Sequence, residues 1–116
     1  MTLISVAVGG ALGAVLRYLV GLAVMFPLGT LTVNTVGSLA IGAIWALVHA
    51  KGLHAWLPFL MTGFLGGFTT FSAFSLDTLR LVEAGRLAAA GGYVMASVLL
   101  SLAACAVGLW IFRGIA

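Results

Sequence analysis

Apolar positions fill this chain in four long blocks, separated by short stretches that carry proline, glycine or charge. The first block runs from about Leu3 to Phe26 and is closed by Pro27 and Gly29. The second runs from about Leu31 to Ala50, followed by a short polar connection with Lys51, Gly52 and His54. The third opens near Pro58, a residue suited to a first helical position, and continues to about Val82. Glu83, Gly85 and Arg86 form the next turn, and the fourth block runs from about Leu87 to Phe112. Each block matches the span of about 20 apolar residues that a bilayer-crossing helix needs. The pattern predicts an all-α integral membrane protein with four transmembrane helices, forming one domain over residues 1–116. No internal repeat stands out. The first block has no basic region before it, so it reads as a span and not as a cleaved signal peptide.

Inside the third block the pattern changes. Gly63-Phe64-Leu65-Gly66-Gly67-Phe68 runs into Thr69-Thr70-Phe71-Ser72-Ala73-Phe74. Three glycines weaken a helix, and a Gly-Gly pair invites a break in it. In hydrocarbon, a broken backbone survives only where protein or a water-filled path satisfies it. Thr69, Thr70 and Ser72 add hydroxyls, and Phe71 and Phe74 share a helix face. The third helix is therefore expected to break in mid-membrane beside a path for a small polar solute.

Two polar stripes repeat at helical spacing. Thr30, Asn34 and Ser38 lie at i, i+4, i+8 in the second block, and Tyr93, Ser97 and Ser101 do the same in the fourth. Each hydroxyl either lines a path or bonds a neighbouring helix or its own i−4 carbonyl. Asn34 favours the path, because an amide in hydrocarbon is costly without a partner. Arg17 lies in the second half of the first block. It stays charged, so it attracts an anion, secures helix ends by bonding carbonyls, or simply snorkels towards the near interface.

Composition narrows the class. The chain is 64% hydrophobic and 6% charged, against roughly 25% charged in a soluble domain. Its net charge of +3 is spread over Arg17, Lys51, Arg80, Arg86 and Arg113 against Asp77 and Glu83, so nucleic acid is not an expected partner. Asp77, Arg80 and Glu83 follow at i, i+3 steps and read as a solvated helix end with local ion pairs. His49 and His54 flank a connection and read as surface residues. Cys105, the single cysteine, reads as a buried small hydrophobe. Trp45, Trp56 and Trp110 fall near block ends, where indoles favour the membrane interface. No catalytic constellation is present, so an enzyme is not expected. A donor-lined path with one fixed cation and no mid-span carboxylate suits a small anion.

The basic residues are nearly balanced between the two sides. Lys51 and Arg113 share one side; Arg86, with Arg80 nearby, lies on the other. A weak bias of this kind permits insertion both ways round. Small residues at four-residue spacing, Gly9 with Gly13, Gly10 with Ala14 and Ser38 with Gly42, suggest close helix contacts and at least a dimer.

Over essentially its whole length the chain resembles the Fluc/CrcB fluoride channels. The matching motifs are Gly9-Gly10-Ala11-Leu12-Gly13-Ala14 leading to Arg17-Tyr18, Gly29-Thr30-Leu31 with Val33-Asn34 and Gly37-Ser38, and Gly63 to Phe74. Leu81-Val82-Glu83-Ala84-Gly85 and the Tyr93, Ser97, Ser101 stripe extend the match. The resemblance implies a passive fluoride-selective channel that exports fluoride across the cell membrane, the inner membrane in a Gram-negative source. It implies an antiparallel, dual-topology homodimer with two pores and lipid around it. It also implies a structural sodium ion on the two-fold axis, held by the backbone carbonyls of Gly66 and Thr69 from both subunits. Phe71 and Phe74 match the pore phenylalanines and Asn34 the pore asparagine. Thr30, Ser72, Tyr93, Ser97 and Ser101 match the polar track. Ala73 departs from the threonine common in the family.

Two rival readings differ in class. A small multidrug transporter has four spans and dual topology, but needs an acid embedded in the membrane, and the first block has none. A structural membrane subunit would pass no ions.

Overall fold

The computed structural model describes residues 2–115. Residues 1 and 116 of the expected domain lie outside them. Helix α1 spans Thr2–Ala23 and helix α2 spans Leu28–Lys51. A short 3-10 turn at His54–Trp56 leads to α3, made of a wide-turn π-helical stretch, Pro58–Leu65, and one α-helical turn, Gly66–Phe68. After a two-residue gap, α4 spans Phe71–Glu83, and α5 spans Leu87–Ile115. Among the described residues, four helical stretches are long and apolar enough to cross a membrane, counting His54–Glu83 as one bent stretch. The protein is a multi-pass membrane protein.

The third stretch is broken, but not at the glycines. Gly66 is helical, at φ −61° and ψ −37°. The break falls at Thr69 and Thr70, both extended, with ψ of 159° and 123°. The glycines serve a different need. A Cβ on Gly67 would stand 2.5 Å from the Gly10 carbonyl oxygen, and one on Gly9 would stand 2.6 Å from that of Phe59. Glycine thus lets α1 and α3 meet backbone to backbone, the close approach seen between small residues in membrane helices. The pair α2 and α5 uses the same device. Gly42 faces the Cys105 carbonyl, and Gly108 faces that of Leu39, each where a Cβ would clash. The small-residue positions Gly9, Gly13 and Gly42 are therefore spent on contacts within one chain. They give no support to association between chains.

Two apolar clusters hold the bundle. Val33, Leu65 and Phe68 join α2 to α3, and Leu81, Ala90 and Tyr93 join α4 to α5. The outer faces carry exposed leucines, valines and isoleucines, as expected where lipid replaces water. Trp45, Trp56 and Trp110 are exposed near helix ends. Gly52 and Gly85 close α2 and α4 at φ of 67° and 77°, conformations that favour glycine. His49 and His54 are both exposed, with ring centroids 4.7 Å apart.

Candidate functional site

The break is held open by side chains from two other helices. Asn34, in the first half of α2, donates through Nδ2 to the Thr70 carbonyl at 2.9 Å. Its Oδ1 accepts from the Thr70 N–H at 2.8 Å. One primary amide thus satisfies both polar groups of an extended residue inside a membrane span, where each unsatisfied group is costly. From α1, the Nε of Arg17 donates to the Gly67 carbonyl at 3.0 Å, securing the end of α3. Thr70 then starts α4, its Oγ1 accepting from the Ala73 N–H at 3.1 Å as an N-terminal cap.

These bonds free two carbonyls. In a continuous helix the Gly66 oxygen would accept from the Thr70 N–H, and the Thr69 oxygen from that of Ala73. Here the first N–H goes to Asn34 and the second to the Thr70 hydroxyl. Gly66 and Thr69 both border a cavity of about 380 Å³ beside the break.

That cavity gathers most of the residues singled out from the sequence. Asn34 and Ser38 come from α2, Phe71 and Phe74 from α4, and Ser97 and Ser101 from α5. The rings of Phe71 and Phe74 have centroids 5.4 Å apart. Ser97 is buried, and its Oγ finds no partner among the described residues. The cavity is open on one side, and Phe71 at its rim is 77% exposed.

Three expected residues sit elsewhere. The Ser72 hydroxyl lies 3.3 Å from that of Thr70 on an exposed face of α4, and Ser72 borders no cavity described. Thr30 and Tyr93 are committed to a carboxylate. The Thr30 hydroxyl donates to Asp77 Oδ2 at 2.7 Å, and the Tyr93 hydroxyl donates to the same oxygen at 3.3 Å.

Asp77 overturns the reading of a solvated helix end. It is 8% exposed and packed between α2, α4 and α5. Arg80 stands 3.8 Å from its Oδ1 and stacks over the Phe26 ring at 4.1 Å. The physical reason is helical phase. Phe74, Asp77 and Leu81 fall at i, i+3, i+7, one stripe of α4, and Leu81 is fully buried. That spacing was the signal for Asp77, and the i, i+3 charge pattern masked it.

Comparison with known proteins fixes the family. Residues 4–109 match the family described as CrcB-like protein, Camphor Resistance (CrcB). The chain belongs to the CrcB family. It is 54% identical over 98% of its length, and 96% of the relative's, to a protein of Paracoccus denitrificans named "Fluoride-specific ion channel FluC". CrcB relatives with the same name occur in Rhizobium etli, at 52% identity over 95% of this chain and 94% of the relative, and in Cereibacter sphaeroides, at 50% over 97% and 95%. These named CrcB proteins are channels and not enzymes.

Proposed function

We propose that the protein is a passive fluoride channel of the cell membrane, working as an antiparallel homodimer with two pores. The observation that carries this reading is the cavity at the break. It sets Asn34, Ser97 and Ser101 against two phenylalanines, in a chain of a family whose named relatives are fluoride channels.

Fluoride is small and strongly hydrated, so a path must replace its water with hydrogen-bond donors. Asn34 has two amide hydrogens, and the Thr70 carbonyl uses one. The second is available to an anion. The unpartnered Ser97 hydroxyl is a further donor, with Ser101 next along the same helix face. Ring edges of Phe71 and Phe74 carry positive potential and can border an anion where water is thin. Ser38 completes the wall. Thr30 and Tyr93 act further along the track, where an anion must compete with Asp77 for their hydroxyls.

A dimer suits the open cavity and the exposed Phe71, because a second chain would complete the wall. The near balance of basic residues suits both orientations. The freed carbonyls of Gly66 and Thr69 fit a hard, oxygen-seeking cation such as sodium, with the same pair from the partner completing the shell. Such an ion would supply fixed positive charge next to an anion path.

Passive conduction needs no driving ion. Purified protein in fluoride-loaded liposomes is expected to release fluoride with no proton gradient imposed. Strict dependence on a proton gradient would contradict it.

A further inference from the structure

The connection between α2 and α3 brings two imidazoles together, and neither borders the cavity at the break. His49 lies in the last turn of α2. Gly52 then ends that helix in the left-handed region at φ 67°, and the Leu53 N–H donates back to the Val48 carbonyl at 3.1 Å. The reversal sets His54, the first residue of the 3-10 turn, against His49. The ring centroids are 4.7 Å apart and the ring planes stand at 73°. Both residues are exposed, at a turn that joins two membrane-crossing stretches and so faces water.

The pair has the geometry of a chelate. A zinc-type ion sits about 2.0–2.1 Å from an imidazole nitrogen, and hence about 3.2 Å from the ring centroid. Two such rings at roughly 90–110° around one metal have centroids about 4.5–5.2 Å apart. The observed 4.7 Å falls inside that range. The tautomer also fits. The His49 Nδ1 lies 3.0 Å from the Trp45 carbonyl oxygen, which can only accept. Nδ1 therefore carries the hydrogen, and Nε2 of the neutral ring carries the lone pair. Ligating histidines are commonly oriented in this way, by a carbonyl on the other nitrogen. The His54 ring makes no hydrogen bond among the described residues, so either of its nitrogens can ligate. The C-terminal end of α2 adds the negative end of a helix dipole, which works against the charge of Lys51.

We propose that His49 and His54 form a surface binding site for an imidazole-seeking divalent transition metal, with copper(II) the tightest of the series. Among the described residues no third histidine, cysteine or carboxylate joins them, so water fills the remaining positions. Nitrogen ligands without carboxylates disfavour calcium and magnesium. The ion and the place both differ from the hard cation of the Gly66 and Thr69 carbonyls, and the site stands whether or not the chain conducts fluoride.

Trp45 supplies a reporter, because its ring centroid is 4.0 Å from that of His49 and a paramagnetic copper there quenches indole emission. Full-length protein in detergent, freed of any polyhistidine tag, would be titrated with copper(II) chloride. Tryptophan emission should fall and saturate at one copper per chain. Pulsed electron paramagnetic resonance should show two imidazoles on that copper. His49→Ala and His54→Ala, both at exposed positions, should each weaken binding by at least the roughly 10–100-fold that loss of a mere orienting partner costs. Wild-type affinity in both variants would overturn the proposal, as would a single imidazole on the bound copper. The chain has no other histidines, so two imidazoles on one copper identify the site even if a variant fails to assemble.

Discussion

Asn34 holds Thr70 by both ends of its peptide unit, accepting its N–H at 2.8 Å and donating to its carbonyl at 2.9 Å. A side chain on α2 thereby replaces the helical partners that an extended residue has lost. The same contact leaves one amide hydrogen of Asn34 over, on a residue that lines the same cavity as Ser97 and the phenylalanines.

The double bond makes Asn34→Asp informative. A carboxylate still accepts from the Thr70 N–H but cannot donate to the carbonyl, and it sets negative charge in the anion's way. We expect dimers to form and fluoride efflux to fall by roughly tenfold or more, a barrier increase of about 1.4 kcal/mol. Efflux from liposomes, with size-exclusion chromatography for assembly, checks this. Normal efflux from a well-assembled variant would take Asn34 out of the path.

Asp77 is expected to matter for stability. Asp77→Ala leaves the buried Tyr93 hydroxyl and the half-buried Thr30 hydroxyl without their acceptor. Orphaning a buried donor costs about 1–3 kcal/mol. Asp77→Asn keeps an acceptor oxygen and should cost less. Thermal melts in detergent should rank wild type above Asp77→Asn, and Asp77→Asn above Asp77→Ala. Wild-type stability in Asp77→Ala would show that the cluster contributes nothing.

The contrast between Asp77 and the glycines shows what was legible in the chain. Block lengths and apolar runs announced the membrane-crossing helices, because hydrocarbon thickness acts on each span locally. A break in the third span was legible from its glycines, but its position was not. Gly66 and Gly67 read as flexible, yet both stay helical, and α1 packs on Gly67. The break sits where Asn34 and Arg17 capture backbone groups of residues 36 and 50 positions away. Local propensity carries no trace of such pairings. The Asn34 and Ser97 stripes were legible because a buried polar residue in an apolar span needs a reason. Thr30 and Tyr93 obeyed the same rule, but their partner was a carboxylate that charge spacing placed in water.

The two phenylalanines separate pathway from fold. Phe71 is exposed at the cavity rim and its ring pairs with Phe74 alone among the described residues, at 5.4 Å, so Phe71→Ile should cost the chain less stability than Phe74→Ile. Phe74 lies 5.4 Å from the Tyr93 ring, and Phe74→Ile should lose about 0.5–1.5 kcal/mol of ring pairing. Both variants keep bulk and apolarity but remove the positive ring edge, so both should conduct fluoride more slowly. Efflux and melting measured on the same preparations check this, and unimpaired efflux in both would mean the rings do not meet the anion.

The central claim is that this chain passes fluoride and discriminates against other halides, and selective efflux tests it most directly. Purified wild-type protein would be placed in liposomes loaded with fluoride and chloride together, with potassium and valinomycin to balance charge. Ion-selective electrodes would follow both anions after dilution. The account predicts rapid release of the fluoride while chloride stays inside until detergent is added. Equal release of both anions, or release of neither, would contradict it.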